Sequence, residues 1–234
     1  MSIATIEEHT FLTRPLGPSS VVLDLGANVG GFSRAMVERF GCTCHAFEPN
    51  PAMAEQIPSH PDIHVHRYAI DGTAGDATFH ISTDPLGSGF EKAESLDYSG
   101  AITVDVETLP TLFRQLDLDQ IDVLKADIEG SEIAAFAACS DDDLRRVAQY
   151  TVEFHAFNGV TPLADVHRTL DRFRDLGYSV YDKAGVDYYD TLILDTERLD
   201  VSAIEWAWIR TGRHYLTGAA RLARKAIRPA AATA

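Results

Sequence analysis

From residue 21 to residue 194, short apolar runs alternate with stretches of helical periodicity, and that alternation leaves few folds open. Consecutive parallel strands must be joined by a long crossover, which a helix fills, so the pattern predicts an α/β fold with a mostly parallel sheet and helices on both faces. VVLDL at 21–25 leads through a glycine turn into a helix over 31–40 that stops at Gly41. CTCHAF comes next and ends at Glu48. A short helix after Pro49-Asn50-Pro51 leads to a strand around 63–68 and the turn Asp71-Gly72. The alternation then breaks. Residues 77–82 and 101–106 read as strands flanking DPLGSGFEKAESLDYSG, an inserted hairpin or lid over about 76–106. The pattern resumes with a helix at 109–115, the strand of IDVLKAD, a helix at 131–138 and a strand at 149–154. A helix at 162–176 and strands near 178–181 and 191–194 close the sheet.

With 234 residues, 45% of them hydrophobic, the chain can bury one sizeable core, and 1–209 reads as a single domain. A formal charge of −15 disfavours a nucleic-acid partner, which requires clustered bases. The segment 210–234 differs: it carries Arg210, Arg213, Arg221, Arg224, Lys225 and Arg228 and no acid. A solvated or docked tail is the simpler expectation for it, and peripheral contact with an anionic membrane or an acidic partner is the alternative. No basic-plus-apolar leader and no apolar run of eighteen residues is present, so no transmembrane segment is expected. Cys42, Cys44 and Cys139 lack metal-ligand spacing and read as buried, reduced thiols, in keeping with a cytoplasmic location. Nothing in the pattern specifies an oligomer.

The turn DLGANVGGF, between strand and helix, is where glycines admit a ligand close to the backbone. A dinucleotide fingerprint would need glycine at 28, and Asn28 stands there, which weakens an NAD reading. Asp24 just ahead of the turn would repel a diphosphate but suits a cofactor bearing an amine or hydroxyls, as S-adenosylmethionine does. Glu48, at the end of the next strand, can accept both ribose hydroxyls.

The segments VVLDLGANVGGFS, AFEPNP, RYAIDGTAGDATFHIS, VDVETLPTLF, IDVLKADIEGSEIAAF and VEFH occur in that order over about 60% of the chain. Together they resemble the FkbM-type family of S-adenosylmethionine-dependent methyltransferases. The resemblance implies a class I Rossmann-like sheet with an antiparallel final strand. It also implies O-methyl transfer to a hydroxyl of a carbohydrate, glycolipid or hydroxylated natural product. Expected cofactor contacts are Asp24, Gly26, Ala27, Asn28, Gly30, Phe32, Ser33, Glu48, Pro49 and Ala69.

Carboxyl ends of parallel strands share one edge, so Asp24, Glu48, Asp127 and Glu153 are expected to line one crevice. Methyl transfer to a hydroxyl needs an aligned acceptor and a base. His155 is the first candidate base and Asp127 the second, with Glu153 or Asp127 orienting the ring or stabilising its charge, and Glu129 and Lys125 complete the candidate catalytic group. Asp127, Glu129, Glu153 and His155 could instead hold Mg²⁺. Lys125, inside an apolar strand, is expected to pair with one of these acids. Helix capping suffices for Glu132. Phe154 and Phe157 fit either the core or an acceptor surface, and His45, His64, His66 and His80 read as structural. The competing reading is a non-catalytic Rossmann-like module that binds nucleotides or docks partners.

Overall fold

The computed structural model describes residues 3–82, 88–90, 97–156, 159–183 and 188–211. The chain opens with β1 (Ile3–Ile6) and β2 (His9–Leu12), which form an antiparallel hairpin pairing Ile6 with His9. Its two loop residues, Glu7 and Glu8, have φ of 44° and 69°. Positive φ at both central positions is the type I′ turn, whose backbone twist matches that of the flanking strands.

The Rossmann-like body follows in chain order: β3 (Val21–Leu25), α1 (Gly31–Phe40), β4 (Thr43–Phe47), α2 (Pro51–Ala54) and β5 (Ile63–His66). Then come β6 (Ala69–Ile70), β7 (Gly75–Ser82), β8 (Tyr98–Glu107), α3 (Leu109–Gln115), β9 (Val123–Ala126) and α4 (Glu132–Ala137). The chain continues with α5 (Asp141–Arg145), β10 (Gln149–Val152), α6 (Leu163–Asp175), β11 (Ser179–Asp182) and β12 (Thr191–Leu194). The main sheet has the order β11-β12-β10-β9-β3-β4-β5. Its central strands β10, β9, β3, β4 and β5 are parallel, and β12 runs antiparallel to β10.

Alternation along each strand divides the core between the two faces of the sheet. Leu23, Leu25, Phe47, Leu124 and Val152 pack with α3, α4 and α6, where Phe113, Phe136 and Phe173 are buried. Val22, Cys44, Ala46 and Val123 pack against Phe32 and Met36 of α1 and Phe11 of the hairpin. All three cysteines are buried and free. Helix α1 begins after Gly30, at φ 78°, and ends at Gly41, at φ 66°, whose N–H donates to the Val37 carbonyl.

The expected inserted hairpin is present: β7 and β8 pair antiparallel, and β6 joins β8 in parallel. Residues 83–87 and 91–96 of its loop lie outside the described residues. So do Phe157 and all of the basic tail beyond Thr211. The N-terminal hairpin and α5 were not anticipated. Helix α5 opens with a reciprocal capping box between Ser140 and Asp143. The chain up to Asp195 forms one compact unit, and a second begins at Thr196 and contains a helix over 203–211. Among the described residues no helix is long and apolar enough to cross a membrane.

Candidate active site

A cavity of about 450 Å³ opens along the carboxyl edge of the parallel strands. The segment after β3 contributes Gly26, Ala27, Asn28 and Val29, and Phe32 of α1 reaches the same wall. Glu48, Pro49 and Asn50 follow β4, while Ala69 and Ile70 come from β6. Asp127, Ile128 and Glu129 follow β9, and Glu153 follows β10. The N-terminal hairpin closes one side with Glu7, Glu8 and His9.

Gly26 has φ 74°, and a Cβ there would stand 1.8 Å from the Asp127 carbonyl oxygen, so only glycine fits. Glu48 is buried, and backbone N–H groups fix both of its oxygens: Asn50 donates to Oε1 at 2.8 Å and Asn28 to Oε2 at 2.9 Å. Burial raises its pKa, and the two backbone hydrogen bonds partly oppose the rise. Each oxygen keeps a further lone pair for a ligand hydroxyl. Asn28 can donate in this way because it adopts a left-handed backbone, φ 49°.

Asp24, Gly30 and Ser33 do not line the cavity. Asp24 is fully buried beneath the turn, accepts the Ser33 hydroxyl at 2.6 Å and pairs with the Lys125 ammonium at 3.2 Å. The expectation that it faces the cofactor is therefore corrected. Asp24 shares the face of β3 with Val22, which α1 covers, and so points away from the crevice. Gly30 packs on Ile57, where a Cβ would approach to 2.8 Å. Lys125 donates to the carbonyls of Gly26, at 2.6 Å, and Leu25, at 3.2 Å, and stands 3.7 Å from Asp127. Burial lowers its pKa, but Asp24 and Asp127 overcome that, and the net shift is upward.

His155 is also corrected. It is 2% exposed and absent from the cavity wall. Its Nδ1 meets Glu132 at 3.0 Å and its Nε2 meets Glu129 at 3.2 Å. Burial disfavours the charged ring, yet the hydrogen bonds to Glu129 and Glu132 prevail and push its pKa up to about 11. An imidazolium with both nitrogens protonated is not a base near neutral pH. The four residues expected to hold Mg²⁺ do not gather as one set: ligand atoms of Asp127, Glu129 and His155 form one cluster, and those of His9, Asp127 and Glu153 another. Glu132 does more than cap α4. Fully buried, it accepts the N–H groups of Ile128 and Gly130 as well as the His155 proton, and so shapes the loop that carries Glu129.

Two cavity acids are pushed in opposite directions. Burial works to raise the Asp127 pKa, but Lys125 and His9 hold it well below the usual carboxylate range. Burial, reinforced by the Asp127 charge, raises the Glu153 pKa to about 8. His9 completes the group: it is buried, packs edge-on against Phe32 and brings Nε2 to 3.6 Å from Asp127.

A seven-stranded sheet with one reversed strand, a glycine turn after β3 and an acid after β4 define the class I, S-adenosylmethionine-dependent methyltransferases. The model of the family described as "Methyltransferase FkbM domain" matches residues 24–180. The 31-O-demethyl-FK506 methyltransferase FkbM of Streptomyces tacrolimicus is 31% identical over 223 residues, covering 80% of this chain and 82% of the relative. The chain belongs to the FkbM methyltransferase family. Among solved structures, fibrillarin of Aeropyrum pernix with bound S-adenosyl-L-methionine aligns at 13% identity and TM-score 0.42, covering 76% of this chain and 66% of that one. Fibrillarin of Methanococcus jannaschii aligns at 10% identity and TM-score 0.45, covering 78% and 69%.

Proposed function

We propose that the protein methylates a hydroxyl of a carbohydrate, glycolipid or hydroxylated natural product, using S-adenosylmethionine, with Glu153 as the base. The observation that carries this reading is the pairing, in one cavity, of a backbone-clamped acid at the ribose position, Glu48, with an acid titrating near neutrality, Glu153. The relative from S. tacrolimicus bears the name of an enzyme acting on an O-demethyl compound, which supports oxygen as the acceptor atom.

The residues present fit the cofactor. Gly26 leaves its backbone open, Glu48 offers lone pairs to two hydroxyls, and Phe47, Met53, Tyr68 and Ile70 give an apolar wall for a base. When bound, S-adenosylmethionine supplies a methyl carbon already activated by its sulfonium. The chain's remaining task is to align the acceptor oxygen and take its proton. Glu153 accepts that proton, and its pKa of about 8 suits transfer near neutral pH. Asp127 stays ionised beside it and orients the acceptor. Lys125 and His155 hold these acids in place from behind.

Calorimetric titration with S-adenosylhomocysteine and with NAD tests the cofactor, and mass spectrometry of a panel of hydroxylated acceptors tests the acceptor class. Saturable binding of S-adenosylhomocysteine alone is expected. Glu48→Ala removes two charge-assisted hydrogen bonds and should weaken that binding by roughly 100-fold or more. Unaltered affinity would remove Glu48 from the ribose position.

A further inference from the structure

We infer that Glu7, at the tip of the N-terminal hairpin, is the carboxylate that receives the ammonium group on the cofactor's amino-acid arm. The inference rests on the S-adenosylmethionine reading and adds a binding residue to it.

Asp24, the acid ahead of the turn that was expected to suit a cofactor's amine or hydroxyls, is sealed beneath the turn by Ser33 and Lys125. Most other cavity carboxylates are engaged. Glu48 is clamped by two backbone N–H groups, Asp127 faces Lys125 and His9, and Glu129 holds His155. Glu153 is the proposed base, and Glu8 is hydrogen-bonded to the Tyr189 phenol. Among the described residues Glu7 has no hydrogen-bond or ion-pair partner, and it lines the cavity.

Its position is specific. A Cβ built on Gly31 would lie 2.0 Å from Glu7 Oε1 and 2.6 Å from Oε2, so the carboxylate rests directly over the start of α1, beside the cofactor turn. The second glycine of Gly30-Gly31 leaves room for it there. Gly30 is required by its left-handed backbone, whereas Gly31 has no positive φ and a Cβ there would only push the Glu7 carboxylate aside. A carboxylate held there also opposes any diphosphate entering at the helix start, which disfavours dinucleotides.

The hairpin is built to hold this side chain in place. Type I′ turns favour asparagine and glycine, and a left-handed backbone at other residues costs roughly 1 kcal/mol each. Here both turn positions are glutamate. The strand that follows is fastened to the body. Asp190 accepts the Thr10 N–H at 2.9 Å and the Thr10 hydroxyl at 2.6 Å, and the Gln149 amide bonds both the N–H and the carbonyl of Leu12.

The test compares two ligands, S-adenosylhomocysteine and 5′-methylthioadenosine, which lacks the amino-acid arm. Calorimetry on the wild type, Glu7→Gln and Gly31→Ala reads both affinities, with circular dichroism to verify folding. Glu7→Gln should weaken S-adenosylhomocysteine by about tenfold or more and leave methylthioadenosine within about twofold. Gly31→Ala, which displaces the carboxylate without backbone strain, should reproduce that selective loss. Equal losses for both ligands, or no loss for either, would overturn the assignment. A wild type that binds neither ligand would overturn the cofactor reading, and the Glu7 assignment with it.

Discussion

Glu153→Gln is expected to cut turnover by roughly 10²- to 10⁴-fold, the range for loss of a general base, while making the protein more stable at alkaline pH. The two effects share one cause. Burial and the Asp127 charge lift the Glu153 pKa from the ordinary 4.5 to about 8. Between those values the folded chain retains a proton that the unfolded chain releases, so stability falls as pH rises through the window. Glutamine carries no charge and escapes this loss, a gain of up to about 4 kcal/mol at pH 8, lessened by solvent screening of this partly exposed group, and near zero below pH 4.5. Thermal melts of both proteins at pH 4.5 and pH 8 measure it; an equal shift at both would show that packing, not charge, is responsible. His155 adds to the same trend at higher pH. Its pKa is raised from 6.5 to about 11, so the stability it contributes is complete below pH 6.5 and is lost as pH approaches 11. In the wild type, activity should rise with pH and level off above about 8 as Glu153 ionises.

The second large effect falls on Lys125. Lys125→Met should destabilise the protein by about 3–5 kcal/mol, the usual cost of removing one partner from a buried ion pair. Asp24 would be left fully buried with its charge uncompensated, and the Gly26 carbonyl would lose its donor. Urea denaturation gives the measurement. Adding Asp24→Asn removes the stranded charge and should restore part of the loss. A cost below about 1 kcal/mol for the single variant would mean that Lys125 does not hold the acids.

Much of this arrangement can be read from the chain alone because its signals are local. The parallel core strands, α1 between Gly30 and Gly41, α3 and the β7–β8 hairpin follow from periodicity and turn residues. The placement of Glu48, Asp127 and Glu153 on one edge follows from strand polarity. Asp24 was misplaced for a reason also present in the sequence: it alternates with Leu23 and Leu25 and so shares the face of Val22, which α1 covers. The state of His155 depends on Glu132, twenty-three residues away, whose carboxylate reaches the ring only after α4 docks. The N-terminal hairpin went unread because its turn is Glu7-Glu8, without the asparagine or glycine that marks a type I′ turn. Its contribution of Glu7 and His9 to the cavity was hidden with it.

The fastening of that hairpin sets an order of events during synthesis. Thr10 leaves the ribosome ahead of its anchor, Asp190, which lies 180 positions later. The central strands can pair while the chain is still growing, but the wall bearing Glu7 and His9 has no anchor at Asp190 until that residue has emerged. A nascent chain therefore passes through a stage with its glycine turn in place and one side of its pocket still unfastened.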